Sequence, residues 1–213
     1  MRLYLSSFRL GDHPEELVRL AGPGARVAVI ANAVDAAPAD VRRGVVDREA
    51  GALAELGLLP DEVDLRDHTD DRELLRNTLD GFDVLWLRGG NVFVLRHVLR
   101  VTGADDIVVE ALQRDAVVYA GYSAGPCVLA PSLRGLELCD DVSDLARLHG
   151  AEPTWEGLGV LDTAFVPHLD SPGHPETEAM GRVLELYRST GVPHVGLRDG
   201  QAMVVEGEQV SIV

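Results

Sequence analysis

Ser123 stands between two glycines in Gly121-Tyr122-Ser123-Ala124-Gly125, directly after the apolar run Ala116-Val117-Val118-Tyr119-Ala120. The run reads as a buried strand, and Pro126-Cys127-Val128-Leu129-Ala130 as the opening of a packed helix. Gly-x-Ser-x-Gly at such a junction is the pattern of a nucleophile elbow, a strained turn that lifts a serine oxygen above the end of a sheet. Gly121, Ala124 and Gly125 are small because neighbouring backbone crowds a turn of this kind. The helix that follows aims its first amides at the place where an oxyanion would form. The same pattern also serves as a plain glycine-rich turn whose serine caps the helix. Its place between strand and helix favours the nucleophile.

A second stretch, Asp83 to Leu95, repeats the arrangement: a buried strand runs into Gly89-Gly90-Asn91 and then into a helix. Two glycines there let backbone approach a ligand closely, with N–H groups suited to an anion. Asn91 fits an ordinary helix N-cap as well. A serine nucleophile needs a base, and the chain has seven histidines. His97 lies in a helix, His13 and His68 in charged surface segments, His149 in an irregular region, and His194 at the start of a strand. His168, in Ala164-Phe165-Val166-Pro167-His168, ends a strand on the same rim as Ser123, and His174 follows in a loop. His168 is therefore the expected base. Asp199, before Gly200 at another strand end, is the expected orienting acid. Asp170, Asp140 and Asp141 are its rivals, and Asp-Gly is also an ordinary hairpin signal.

The elements that must position these groups follow from period and punctuation. Strands are expected at 3–7, 26–31, 62–65, 83–87, 116–120 and 164–166, with three more strand-like pieces closing the chain. Helices are expected at 14–21, 38–58, 71–79, 92–100, 105–114 and 175–188, and 134–156 reads as irregular. Alternation of this kind implies one α/β domain over residues 1–213. Its central sheet would be mostly parallel, with helices on both faces and ligands beyond the carboxyl ends of the strands.

Composition bounds the partners. A net charge of −16 with no basic run argues against nucleic acid. No segment is long and apolar enough for a membrane span, and the N-terminus reads as a first strand rather than a signal peptide. Cys127 and Cys139 are too few for a disulfide scaffold and lack metal-ligand spacing. The expectation is a cytoplasmic protein acting on a small substrate without metal or cofactor. Oligomeric state is not fixed, and a homodimer stays open.

Together, Gly89-Gly90-Asn91, Gly121-Tyr122-Ser123-Ala124-Gly125, Pro167-His168, Gly173-His174 and Glu176-Thr177 resemble the aspartyl dipeptidase (peptidase E) family of serine peptidases. The opening Met1–Ser7 and Leu197-Arg198-Asp199-Gly200 fit the same family, so the resemblance runs along the whole chain. It implies a flavodoxin-like, class I glutamine amidotransferase-like fold. It further implies a triad of Ser123, His168 and Asp199, an oxyanion hole from the N–H groups of Gly90 and Ala124, and a short peptide as substrate. Gly89, Asn91 and Glu178 would lie against that substrate.

Two departures stand out. The family places glutamate where Asp199 stands, and an arginine where Glu178 stands, so aspartyl dipeptides are expected to be poor substrates. The alternatives are an amidotransferase-like or other acyl hydrolase, whose usual elbow nucleophile is cysteine, and a catalytically silent binding protein on the same fold.

Overall fold

The computed structural model describes residues 1–213. Its first half comprises β1 (Arg2–Ser6), α1 (Glu15–Ala21), β2 (Arg26–Ile30), α2 (Ala39–Glu55), β3 (Leu59–Glu62), α3 (Arg72–Leu79), β4 (Val84–Leu87), α4 (Val92–Thr102) and α5 (Ala104–Gln113). Then come β5 (Val118–Tyr122), the one-turn α6 (Ala124–Cys127), α7 (Ser143–His149), β6 (Ala164–Val166), α8 (Thr177–Thr190), β7 (His194–Gly196), β8 (Ala202–Glu206) and β9 (Gln209–Ile212).

Strand alternation divides the core in two. Leu3, Leu5, Leu85, Leu87 and Tyr119 face a large cluster formed with α3, α4, α5, α6 and α8. Tyr4, Val84, Trp86, Val118, Ala120 and Tyr122 face a smaller one closed by Leu17 and Leu20 of α1 and Leu53 of α2. Helices thus cover both faces of a seven-stranded sheet ordered β3-β2-β4-β5-β1-β8-β9. The first five are parallel, and β8 and β9 add an antiparallel edge. Strands β6 and β7 pair in parallel as a separate two-stranded sheet. The expected α/β architecture with a mostly parallel sheet is therefore present.

Three local expectations need correction. Strand β3 occupies Leu59–Glu62, and Leu65–His68 is a 3-10 turn instead of the end of a strand. Its Leu59 is exposed and Pro60 sits within it, which an edge strand tolerates because backbone pairing on one side suffices. Residues 134–156 are not wholly irregular: α7 lies within them, with only Leu145 buried, too little apolar surface to leave a periodic trace. The helix after Ser123 is a single turn of four residues.

The turn around Ser123 is fixed by a backbone contact. A Cβ on Gly121 would stand 2.1 Å from the carbonyl oxygen of Leu87 in β4, and one on Gly125 would stand 2.2 Å from the same oxygen. Gly125→Ala is therefore expected to destabilise the protein by about 1–3 kcal/mol, because backbone must move. Gly51→Ala, inside α2 with nothing within 4 Å, should stabilise it by about 0.5–1 kcal/mol. Thermal denaturation of the two variants checks this, and a similar response to both would contradict it.

Candidate active site

Ser123 sits at φ 53°, ψ −111°, a conformation that costs a non-glycine residue about 1–3 kcal/mol. It is 8% exposed and its side chain caps no helix, so the hydroxyl is not spent on local structure. The backbone around it is close. A Cβ on Gly89 would meet Ser123 Cβ at 2.8 Å, and one on Gly90, at φ 144°, would strike the Ala33 carbonyl oxygen at 2.5 Å. The Gly90 N–H has no backbone acceptor, and Ala124 N–H opens the first turn of α6. Tyr119 holds that turn from beneath, donating to Gly125 O at 2.6 Å.

His168 and Asp199 meet directly. His168 Nδ1 lies 2.7 Å from Asp199 Oδ1. The same oxygen accepts from Ser7 Oγ at 2.9 Å, and Ser7 Oγ accepts the His168 backbone N–H at 2.8 Å. Thr177 Oγ1 donates to His168 O at 2.7 Å, and Ser171 Oγ accepts from Asp199 N at 2.8 Å. Three hydroxyls therefore pin an imidazole that is 1% exposed and whose backbone, at φ 59°, is itself strained. With Nδ1–H donating its hydrogen bond to Asp199, Nε2 is the unprotonated nitrogen and can accept a proton.

Register ties this pair to Ser123. Ser6 of β1 is paired with Tyr122 of β5, so Ser7 and Ser123 are the next residues beyond one rung. The Phe8 ring then stands edge-on to Tyr122 at 6.0 Å and to His168 at 5.9 Å. The His–Asp pair follows strands of the separate β6–β7 sheet rather than the central one, and the Ser7 bonds bring it to the end of β1, beside the β5 end that leads into Ser123.

Two further groups flank His168. The His174 ring stacks on it, centroids 3.7 Å apart and planes 7° from parallel, and Glu176 Oε2 lies 3.6 Å from Nε2. Burial pushes the His168 imidazole below its ordinary value, the Asp199 hydrogen bond opposes that shift, and His174 adds to it. His168, His174 and Asp199 bring ligand-type atoms within 4.8 Å of one another. A metal bonds imidazole in the ring plane at ~2.0–2.1 Å, and a single ion cannot lie in both of two stacked planes. The trio is built as a hydrogen-bonded pair under a stacked ring.

The remaining candidates lie as follows. Asn91 caps α4, accepting from Phe93 N and Val94 N, and its amide donates to Asp141 O at 2.8 Å. Asp140 accepts from Val92 N at 2.7 Å, and burial raises its carboxyl to about 7. The Asp140–Asp141 segment thus clamps the Gly89-Gly90-Asn91 turn and does not meet His168 Nδ1. Asp141, Asp170 and Glu178 are exposed, Glu178 in the first turn of α8. Cys127 is buried, donates to Phe165 O, and has its thiol pushed far up by burial, which leaves no thiolate for attack.

Sequence reasoning missed the support. Ser7 and Ser171 are isolated hydroxyls without a pattern, although Ser7 could have been suspected from its place at the end of a strand beside the elbow strand. Glu49 was hidden in a charged helix; it is buried under the elbow, accepting from Trp86 Nε1 at 3.1 Å and Tyr122 OH at 2.8 Å.

Over 167 residues the chain is 35% identical to Peptidase E of Streptomyces coelicolor, covering 76% of this chain and 62% of that protein. A crystal structure of a candidate peptidase E from Listeria monocytogenes EGD-e superposes with a TM-score of 0.81 at 23% identity, covering all of this chain and 97% of the other. A peptidase from an acI-B1 Actinobacterium gives 0.70 at 18%, with 86% of its chain covered. These two show the shared fold. The model of peptidase family S51 matches residues 14–213, and the chain belongs to that family.

Proposed function

We propose that the protein is a serine peptidase of short peptides, with Ser123 as nucleophile, His168 as base and then acid, and Asp199 as the group that orients it. The observation that carries the reading is the Nδ1–Asp199 hydrogen bond of 2.7 Å, tied through Ser7 to the end of β1 beside the strained serine that follows β5. His168 Nε2 takes the Ser123 proton as Oγ attacks the scissile carbonyl carbon. The oxyanion is received by the N–H groups of Gly90 and Ala124, with Gly89 and Asn91 shaping that wall. The imidazolium, stabilised by Asp199, then protonates the leaving amine. Water, deprotonated by the same imidazole, hydrolyses the acyl-enzyme and restores Ser123.

The low exposure of Cys127 and its raised pKa speak against a cysteine nucleophile of the amidotransferase kind. Glu176, 3.6 Å from His168 Nε2, and Glu178, in the first turn of α8, put negative charge on this segment and oppose an acidic substrate side chain. We place the protein in the cytoplasm; no helix is long and apolar enough to cross a membrane.

Ser123→Ala and His168→Ala are each expected to lower kcat for Ala-Leu hydrolysis by about 10⁴- to 10⁶-fold, since the members of a triad act as a unit. Asp199→Asn should cost up to ~10⁴-fold through the wrong imidazole tautomer. Folding should be unchanged by circular dichroism, and Asp-Leu should be hydrolysed more slowly than Ala-Leu. Full activity in Ser123→Ala would refute the assignment.

The base must be neutral to act, and its pKa lies below the ordinary 6.5. The acid limb of kcat/KM should therefore have its midpoint below pH 6.5, activity being lost as pH falls through it. His174→Ala removes the stacked neighbour and part of the burial, and both changes move that midpoint up. Asp140 reaches about 7, so Asp140→Asn, which leaves the limb in place if His168 is its source, assigns the titration. A midpoint that is unmoved or lower in His174→Ala would contradict this account.

A further inference from the structure

The peptide unit joining Gly89 to Gly90 has one end held and the other free. Its carbonyl oxygen accepts a hydrogen bond from Arg88 Nη1, while its N–H, on Gly90, donates to no backbone acceptor. A trans peptide is planar, with C=O and N–H pointing in opposite directions. Holding the oxygen on the Arg88 side therefore turns the N–H the other way. Neither glycine has a side chain to brake rotation of this plane, and the φ of 144° at Gly90 is one that glycine adopts readily. The chain is anchored on either side, Arg88 N donating to Ile30 O at 3.1 Å and Asn91 N to Ala33 O at 2.8 Å. The peptide between them can turn without moving β4 or α4. The close approaches that demand glycine at 89 and 90 thus leave the plane least restrained where its orientation counts most.

Arg88 is placed by what lies under the turn. Glu49 of α2 is buried, with Oε1 accepting from Tyr122 OH and Oε2 from Trp86 Nε1. The same Oε1 faces Arg88 Nε at 3.6 Å, and the guanidinium lies over the Tyr122 ring, 5.7 Å from its centre. Arg88 Nε is buried and makes no hydrogen bond. The group is therefore held by the Glu49 charge, by the ring and by the Gly89 carbonyl. Its side chain is only 18% exposed, and a charge with so little water around it acts more strongly than one at the surface. A guanidinium on the carbonyl oxygen also polarises the whole amide, which makes the N–H at its other end a stronger donor.

We propose that Arg88, oriented by Glu49, is a positioning residue of the oxyanion hole: it holds the Gly89 carbonyl so that the Gly90 N–H is aimed and polarised before substrate arrives. The inference rests on the reading of Ser123 as nucleophile and of the Gly90 N–H as an oxyanion donor. Arg88 itself does not touch the substrate. Donors fixed in advance are effective because nothing has to reorient as charge develops on the oxygen. Without Arg88 the peptide is free to turn, and its carbonyl oxygen would then repel the oxyanion that its N–H should receive. The Ala124 N–H, set by the first turn of α6, would be the donor that remains.

Arg88→Met keeps an unbranched side chain over Tyr122 and removes the donor and the charge. It should lower kcat for Ala-Leu by up to about 10³-fold, the worth of one oxyanion donor. KM should be little changed, because the interaction is made only in the transition state. The boronic acid analogue of alanine forms a tetrahedral adduct with Ser123 Oγ that presents an oxygen to the same amides, so its inhibition should weaken in step with kcat. A merely structural role would lower Tm and leave both unmoved. Glu49→Gln/Arg88→Met, which leaves no unpaired carboxylate under the turn, should show the same losses and serves if the single variant does not fold. Crystal structures need no turnover: the Gly89 oxygen should stay on Arg88 in the unmodified protein and be turned, or spread over two orientations, in the variant. An unchanged kcat, a loss confined to KM, or a Gly89–Gly90 peptide that keeps its orientation without Arg88 overturns the inference and leaves the peptidase reading standing. If the unmodified protein hydrolyses no peptide, the peptidase reading falls, and the crystal structures alone decide whether Arg88 sets this peptide.

Discussion

One backbone oxygen, the Leu87 carbonyl at the end of β4, decides how the site can be built. Residues 121 and 125 both lie so close to it that neither can carry a side chain. That approach draws the end of β5 against β4 and forces the chain to reverse within one residue, leaving Ser123 in its strained conformation. The same crowding presses Gly89 against Ser123 and Gly90 against Ala33 O, so two neighbouring strand ends present bare backbone around a single hydroxyl. A side chain at Gly90, Gly121 or Gly125 would displace backbone, and one at Gly89 would strike Ser123 Cβ and the Tyr122 ring. The strain of about 1–3 kcal/mol persists because the packing of the parallel sheet over-determines the turn.

The imidazole is placed by different means. No close-packed backbone fixes it; hydroxyls do. Ser7, Ser171 and Thr177 come from three separate segments and hold His168 and Asp199 at backbone and side chain alike. Ser7 belongs to the strand next to β5, so the elbow and the His–Asp pair are joined through β1. The buried Glu49 network serves the other side, anchoring the Tyr122 and Trp86 side chains under the turn. Polar groups buried this way are stable only when satisfied; both Glu49 oxygens and the three hydroxyls have partners, while the buried Arg88 Nε has Glu49 only at 3.6 Å and makes no hydrogen bond.

Much of this was legible in the sequence, for identifiable reasons. The strand-to-helix turn at Ser123 shows because steric crowding permits only glycine at fixed spacing, and because fully buried parallel strands such as β4 and β5 read as unbroken apolar runs. The pairing of His168 with Asp199 was approachable because each follows a short strand, and those strands, β6 and β7, lie side by side. Elements held by backbone pairing or by a few contacts do not show: β3 carries Leu-Pro-Asp-Glu with no alternation, and α7 buries one leucine. The supporting hydroxyls were invisible because a lone serine gives no periodic signal. The stacking of His174 on His168 depends on the turn that folds this short segment back on itself, and the Glu49 network joins residues far apart in the chain that only the fold brings together.

The central claim is that a single activated serine, and no other nucleophile, stands at this rim. Ser7 and Ser171 lie beside the same imidazole–carboxylate pair, but their hydroxyls are engaged in holding it. The most direct measurement is reaction of the folded protein with a fluorophosphonate, followed by peptide mapping of the adduct by mass spectrometry. The account predicts one stoichiometric adduct, on Ser123, that fails to form when His168 is replaced by alanine. An adduct on Ser7, Ser171 or Cys127, or labelling of Ser123 that is indifferent to His168, would contradict it.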